Sequence, residues 1–292
     1  MTKKVSSLNI LPCLDSPAIA KLRQSELNIP RSMAISLGFS SLNACNIGYY
    51  TTSSGQKVEW GHLVKDARSG KQSIPPDALL PTFENKKHPK TDVQVCNETT
   101  LVSSRNLIKE GHQPIALNFA NGVAPGGGFL HGAKAQEEVL CRSSALYSTL
   151  VEDPMYDYHL KRPLPDSSDW VIYSPKVPIF RSDDGLEYDE PWLLSFLTCA
   201  APFAPSVPQA GDLLQKRINR VLSVAAAYGY ESLVLGAWGC GAFANDPART
   251  AKDFREALET NFSGCFSKVV FAITDWSPER RFLGPFRDIF NY

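Results

Sequence analysis

The 292-residue chain lacks any run approaching about 18 consecutive apolar residues, so its sequence predicts no transmembrane helix. It also lacks paired cysteines. The seven it has, Cys13, Cys45, Cys96, Cys141, Cys199, Cys240 and Cys265, are odd in number, widely spread and without a CxxC pair. A disulfide framework or a structural zinc site needs tighter, paired spacing, so a reducing, intracellular compartment is expected. The five histidines (His62, His88, His112, His131, His159) show no metal-ligand spacing either. Charge of one sign is not in excess: 30 basic residues balance 30 acidic ones, and the pI is near 6.9. That excludes a general nucleic-acid coat or a membrane-surface protein, which carry a basic excess, but still allows a small anion held by backbone amides. After Lys3 and Lys4 the chain is broken by Ser6, Ser7, Asn9, Pro12 and Asp15, a poor hydrophobic region, so no secretory signal is expected. No internal repeat is present.

What the chain does have is a hydrophobic fraction of 43%, enough to bury a full core. Residues 1–30 show little periodicity and read as an extension. A helix is predicted over 31–44, short strands at 48–50 and 58–60, and an exposed loop over 66–91, with Pro75-Pro76 and Lys86-Lys87-His88-Pro89. From residue 92 the pattern alternates. Strands are predicted at 93–96, 115–119, 170–173, 193–200, 232–236 and 268–273, and helices over 99–109, 135–150, 213–228, from Asp246-Pro247 onward, and over 278–290. Apolar strands separated by helices imply a sheet covered on both faces, hence one α/β domain in three layers.

Two glycine-rich turns follow buried strands, where ligands sit in open α/β sheets. The first runs from Asn118 through Asn121 to Pro125-Gly126-Gly127-Gly128-Phe129; the second is Gly236-Ala237-Trp238-Gly239-Cys240-Gly241-Ala242-Phe243. Successive glycines let backbone amides approach an anion and adopt positive φ without penalty, although a plain flexible turn is equally compatible with three glycines alone. Together the turns could clamp a pyrophosphate. Neither fits GxxxxGK[ST], which disfavours an ordinary nucleotidase, and no GxGxxG follows the first strand. Seven residues past the triple glycine, Gln136-Glu137-Glu138 opens a helix. Adjacent helical residues diverge by about 100°, so the two carboxylates cannot share one job. Acidic residues in a first turn also simply favour the helix dipole, but beside a glycine loop that reading weakens.

The string Pro125-Gly126-Gly127-Gly128, seven residues, then Gln136-Glu137-Glu138 resembles the signature of poly(ADP-ribose) glycohydrolases. The wider PGGGFLHGAKAQEEVLCRSSALY, with the later LVLGAWGCGAF, is similar to the compact microbial-type members built on a macrodomain. Asn118, Asn121 and Gly126 also align with the NAAN-plus-glycine pattern of macrodomains. The resemblance covers roughly residues 31–292 and leaves 1–30 as an N-terminal extension. It implies a macrodomain-like three-layer α/β/α sandwich with a mixed central sheet. The implied activity is hydrolysis of ribose–ribose O-glycosidic bonds in poly(ADP-ribose) or on ADP-ribosylated macromolecules, releasing ADP-ribose, with no cofactor and no metal.

Carried over by position, Glu138 would be the catalytic acid and Glu137 would hold ribose hydroxyls of the scissile linkage. Gly126, Gly127 and Gly128 would approach the distal ribose and diphosphate, and Gly239, Cys240 and Gly241 would wrap the diphosphate. Phe243 would pack on the distal ribose and Asn121 would bind a ribose hydroxyl, with Phe129, Gln136 and Ala242 also in the substrate-binding set. An adenine pocket is expected near Ile273–Asp275. The chemistry is coherent in itself: the bond breaks through an oxocarbenium-like state, and the leaving hydroxyl takes a proton from a carboxyl in a partly dry site.

The remaining candidates read as structural: Cys240 and Trp238 as packing, His131 as a solvent-facing loop residue, Arg142 as an ion-pairing or helix residue, and Lys86-Lys87 as a solvated loop. Two other functions stay open, a mono(ADP-ribosyl) hydrolase and a non-catalytic ADP-ribose reader. A reader has no need of an acid beside the triple glycine, so Glu137-Glu138 favours catalysis.

Overall fold

The computed structural model describes residues 7–83 and 87–291. Lys3, Lys4, Ser6 and Lys86, named above, lie outside the described residues; Lys87 reaches Glu231 at 3.6 Å. The first departure from expectation is at the N-terminus. Strand β1 (Leu8–Ile10) and helix α1 (Pro17–Leu27) occupy the supposed extension. Leu8 and Ile10 are buried, and β1 pairs in parallel with residues 91–93, so this segment is an edge strand rather than an arm. A three-residue strand is too short to show a period in sequence.

Helix α2 (Arg31–Ile47) ends at Gly48, whose φ of 81° is the left-handed cap that glycine adopts freely. Strands β2 (Tyr49–Thr51) and β3 (Lys57–Glu59) form a small antiparallel ribbon. The expected loop over 66–91 instead holds the end of α3 (Gly61–Gly70) and strand β4 (Gln72–Ile74). Val64 and Ala67, one turn apart, bury the inner face of α3, a stripe that the surrounding Lys, Ser and Gly residues disguise. Strand β5 (Thr91–Cys96), helix α4 (Thr100–Lys109) and strand β6 (Pro114–Ala120) follow as predicted. The Thr99 hydroxyl caps α4 by accepting from Val102 N at 3.0 Å.

The long helix predicted over 135–150 is interrupted. Helix α5 (Gln136–Ser143) stops at Ser144, and α6 (Leu146–Leu150) restarts beyond it. Ser144 is extended; its hydroxyl donates to Leu140 O at 2.7 Å and accepts from Leu146 N at 3.1 Å, offering the backbone an alternative to helix. Helix α7 (Pro154–Leu160), capped by Asp153, was not anticipated. Strands β7 (Val171–Arg181) and β8 (Glu187–Ala200) are both longer than predicted. Pro175, Pro178 and the polar run 187–190 mask their period, and the register shifts between Ser174 and Val177. Helix α8 (Ala210–Ala227), strand β9 (Ser232–Leu235), helix α9 (Pro247–Glu259) and strand β10 (Lys268–Ala272) lie close to their predicted positions. The last helix, α10 (Leu283–Ile289), starts later than Pro278.

The chain divides into two compact units. The first comprises residues up to Arg23, Asp77–Ile115 and everything from Pro202; the second is Gln24–Pro76 and Ala116–Ala201. In the first, β1, β5, β10 and β9 lie side by side and parallel, with Val269 opposite both Val93 and Leu233. Its core centres on Phe271, whose ring lies 5.4, 5.3 and 4.7 Å from those of Phe254, Phe286 and Phe290. In the second, the strand order is β6, β8, β7, β4, and β7 is antiparallel to both neighbours. Tyr50, Trp60 and Phe180 cluster there with centroids 4.6–5.4 Å apart. The fold is α/β, with parallel pairs in one unit and antiparallel pairs in the other, as a mixed sheet requires. All seven cysteines are free. Among the described residues no helix is long and apolar enough to cross a membrane.

Candidate active site

Within the second unit, β6 delivers the first glycine turn and α5 returns beneath it. The two carboxylates of α5 part company as helical geometry demands. Glu137 is buried; its Oε2 accepts from Asn121 N at 2.7 Å and its Oε1 from Asn118 Nδ2 at 3.3 Å. Glu138 is 8% exposed; its Oε1 accepts from Gly128 N at 2.9 Å, while its Oε2 has no hydrogen-bond partner among the described residues. Gly127 arches over both. Its φ is +56°, and a Cβ built there falls within van der Waals contact of Glu138 Oε1 and 3.1 Å from Glu137 Oε2. The turn therefore needs glycine twice over, for conformation and for space.

Burial pushes the Glu137 carboxyl up to about 8, with the Glu138 charge adding to the rise and the bonds from Asn121 and Asn118 opposing it. The ordinary value is 4.5, so the stability that comes with a neutral Glu137 is complete below that pH. It is lost progressively as pH rises to about 8. The melting temperature of the parent chain should accordingly fall between pH 5 and 9 more steeply than that of Glu137→Gln. Equal slopes in the two proteins would contradict this assignment.

The other predicted residues of this unit are placed less simply. Asn121 uses its Oδ1 to accept from Val123 N (2.9 Å) and Ala124 N (3.0 Å), so its side chain shapes the turn. Gln136 is bound at both ends of its amide: Oε1 accepts from Phe119 N at 2.9 Å and Nε2 donates to Leu117 O at 2.7 Å. It splices α5 to β6. Phe129 is buried, packed on Tyr147 with centroids 4.8 Å apart, and acts as an anchor for the turn. His131 is exposed, and its carbonyl accepts from Arg31 Nε. Sequence reasoning gave no role to Asn118, whose Nδ2 links Glu137 to Thr198 Oγ1 at 3.2 Å. It also missed His159, which bridges Gly122 O and Ser168 Oγ at 2.9 and 2.7 Å. The asparagine in the motif was a signal for the first; nothing local signals the second.

The second glycine turn belongs to the other unit. Gly239 has φ +75°, and its carbonyl accepts from Asn245 N at 3.0 Å and Asn245 Nδ2 at 3.1 Å. Gly241 and Ala242 are exposed, and a Cβ at Gly241 would meet open space. Phe243 is half-buried, edge-on to Phe203 with centroids 6.1 Å apart. Cys240 and Trp238 are buried. Burial pushes the Cys240 thiol up to about 12, which removes the thiolate a nucleophile needs. At the end of β10, Asp275 is a structural hub. Its Oδ1 accepts from Ser277 N and Oγ, and its Oδ2 from Phe282 N at 2.7 Å and Leu283 N at 3.1 Å. Burial opposes ionisation of Asp275, but these bonds outweigh it and hold the carboxyl below its usual range. This turn is what delays the start of α10.

A family model, the catalytic domain of microbial-type poly(ADP-ribose) glycohydrolase, matches residues 40–182. Poly(ADP-ribose) glycohydrolase from Thermomonospora curvata matches with 37% identity and a TM-score of 0.82, over 88% of this chain and 99% of that one. The same enzyme bound to the inhibitor ADP-HPD matches with 38% identity and a TM-score of 0.81, over the same shares. The Deinococcus radiodurans enzyme in complex with ADP-ribose matches with 38% identity and a TM-score of 0.69, over 77% of this chain and 96% of that one. A search of curated protein sequences returned no match. With this identity sustained over nearly the whole length of solved glycohydrolases, the chain belongs to the microbial-type poly(ADP-ribose) glycohydrolase family.

Proposed function

We propose that the chain hydrolyses ribose–ribose O-glycosidic bonds in poly(ADP-ribose) and releases ADP-ribose, with Glu138 as the general acid. The observation that carries the assignment is the asymmetry of the carboxyl pair. Glu137 is clamped on both oxygens, whereas Glu138 is held by one oxygen on Gly128 N and keeps the other unpartnered at the turn. A proton on that free oxygen can pass to the glycosidic oxygen as the bond stretches, so that the leaving ribose departs with a hydroxyl. Water then adds to the anomeric carbon and gives its proton to the carboxylate left behind. Glu137, fixed by β6, is suited to accept or donate to ribose hydroxyls and so orient the sugar. Gly126, Gly127 and Gly128 allow ribose and diphosphate close to the backbone. Gly239, Cys240, Gly241 and Ala242 are assigned to the diphosphate, Phe243 to the distal ribose, and Asn121 to holding the turn open for it.

The binding half of this reading has its own test. ADP-ribose should raise the melting temperature equally with and without a chelator, because the proposed donors are backbone amides. Stabilisation should approach about 2.7 kcal/mol at a hundredfold excess over the Kd. Incubation with poly(ADP-ribose) should release ADP-ribose under the same conditions. A shift or a turnover abolished by chelator and restored by magnesium would overturn the metal-free assignment.

A further inference from the structure

Arg142 lies four residues after Glu138 on α5, so the two side chains project from the same face one turn apart. Its side chain is 1% exposed, yet Nη1 and Nη2 have no hydrogen-bond partner among the described residues. Arg181, also buried, makes the contrast. Its guanidinium donates to Leu37 O and Arg142 O at 3.0 and 2.9 Å, to Ser40 Oγ at 2.6 Å, and to Glu187 Oε1 at 2.9 Å. Arg181 stitches backbone together; Arg142 does not. A buried cation without such bonds costs stability, and its charge must act through space on what faces it. The opposite charges bearing on it are Asp183, just past β7, and Glu138; Arg181 bears on it with like sign.

We propose that Arg142 is a positioning residue for the reaction. Its buried guanidinium stabilises the carboxylate that Glu138 becomes after giving up its proton, and keeps it in place to receive the proton of the attacking water. The proposal rests on Glu138 being the acid. The other cation bearing on this position, Arg181, is committed to Leu37 O, Arg142 O, Ser40 Oγ and Glu187 Oε1. Glu137 and Asp183 carry acid groups only. Burial pushes Cys141 on α5 and Tyr156 on α7, which faces Glu137, well above their usual ranges and leaves them neutral. The unpartnered Glu138 Oε2 and the unpartnered Arg142 nitrogens are thus the two loose ends of one helix face, and the proton cycle is what links them.

The test compares Arg142→Met, Arg142→Lys and Asp183→Asn with the parent and with Glu138→Gln, reading kcat and KM on poly(ADP-ribose), ADP-ribose Kd by calorimetry, and the pH profile of kcat. The acid acts in its protonated form and the two carboxyls of α5 interact, so loss of the pair's proton gives the alkaline limb. Removing a nearby cation makes ionisation harder and moves that limb to higher pH, on the order of one unit. Arg142→Met should therefore lose about tenfold or more in kcat, less than the ~10²–10⁴ that the acid itself supplies, with Kd unchanged and the limb displaced upward. Arg142→Lys should return the limb toward the parent position. Asp183→Asn, which leaves Glu138 as the opposite charge bearing on the guanidinium, should move it to lower pH. This variant decides the matter if Arg142→Met does not fold. An alkaline limb at the parent position in Arg142→Met, or in Asp183→Asn where the first is unfolded, overturns the proposal. Loss of kcat only in proportion to lost folded protein does the same. If Glu138→Gln remains active, it is the acid assignment that fails, independently of Arg142.

Discussion

Glu138→Gln is expected to bind ADP-ribose as tightly as the parent chain while losing about 10²–10⁴-fold in turnover of poly(ADP-ribose). Binding should persist because the glutamine Oε1 can still accept from Gly128 N, the bond that ties α5 to the turn. Turnover should fail because an amide has no acidic proton for the leaving hydroxyl. Calorimetry with ADP-ribose and release of ADP-ribose from polymer, run on the same preparation, separate the two. Near-normal turnover would remove Glu138 from the role of acid. Loss of binding together with turnover would show that the carboxylate serves the turn rather than the proton.

Gly127→Val is expected to stay folded and to lose ADP-ribose binding. A branched side chain at φ +56° carries a backbone penalty of roughly 1–2 kcal/mol, and its stiff χ1 leaves few ways to avoid a neighbour. The neighbour here is the Glu138 carboxylate itself, with Glu137 Oε2 3.1 Å from the new Cβ, so the substitution fills the space above both carboxylates. Gly127 is only partly buried, whereas Phe129, Leu140 and Leu146 nearby are core and undisturbed. Circular dichroism should match the parent and the calorimetric heat should vanish. Binding at parental affinity would show that this turn does not line the site, and unfolding would show that the glycine serves the fold.

How far the sequence could be read follows from how locally each element is specified. The apolar runs Ile115–Leu117, Leu233–Leu235 and Val269–Ala272 announce buried strands because a strand covered on both faces needs no polar alternation. The outer half of the β7–β8 hairpin hides behind Pro175, Pro178 and Glu187–Glu190, and the break at Ser144 depends on a side-chain hydroxyl out-competing the helix, which no apolar period records. In the site, the divergence of Glu137 and Glu138 was legible from helical geometry alone, and the structure sends one to Asn118 and Asn121 and the other to Gly128. The tie of Gln136 to Phe119 N and Leu117 O was not legible, because those partners come from the end of a strand rather than from the motif. Arg142 read only as an ion-pairing or helix residue, since what distinguishes it from Arg181 is that its Nη1 and Nη2 have no hydrogen-bond partner among the described residues, a property of packing.

The most direct test of the central claim is digestion of a polymerase carrying its own poly(ADP-ribose), followed over time by separating free ADP-ribose, residual polymer and the last protein-linked unit. The assignment predicts that the parent chain converts polymer to free ADP-ribose and that Glu138→Gln leaves the polymer at full length. Intact polymer after prolonged incubation with the parent chain, or release confined to the protein-linked unit, would contradict it.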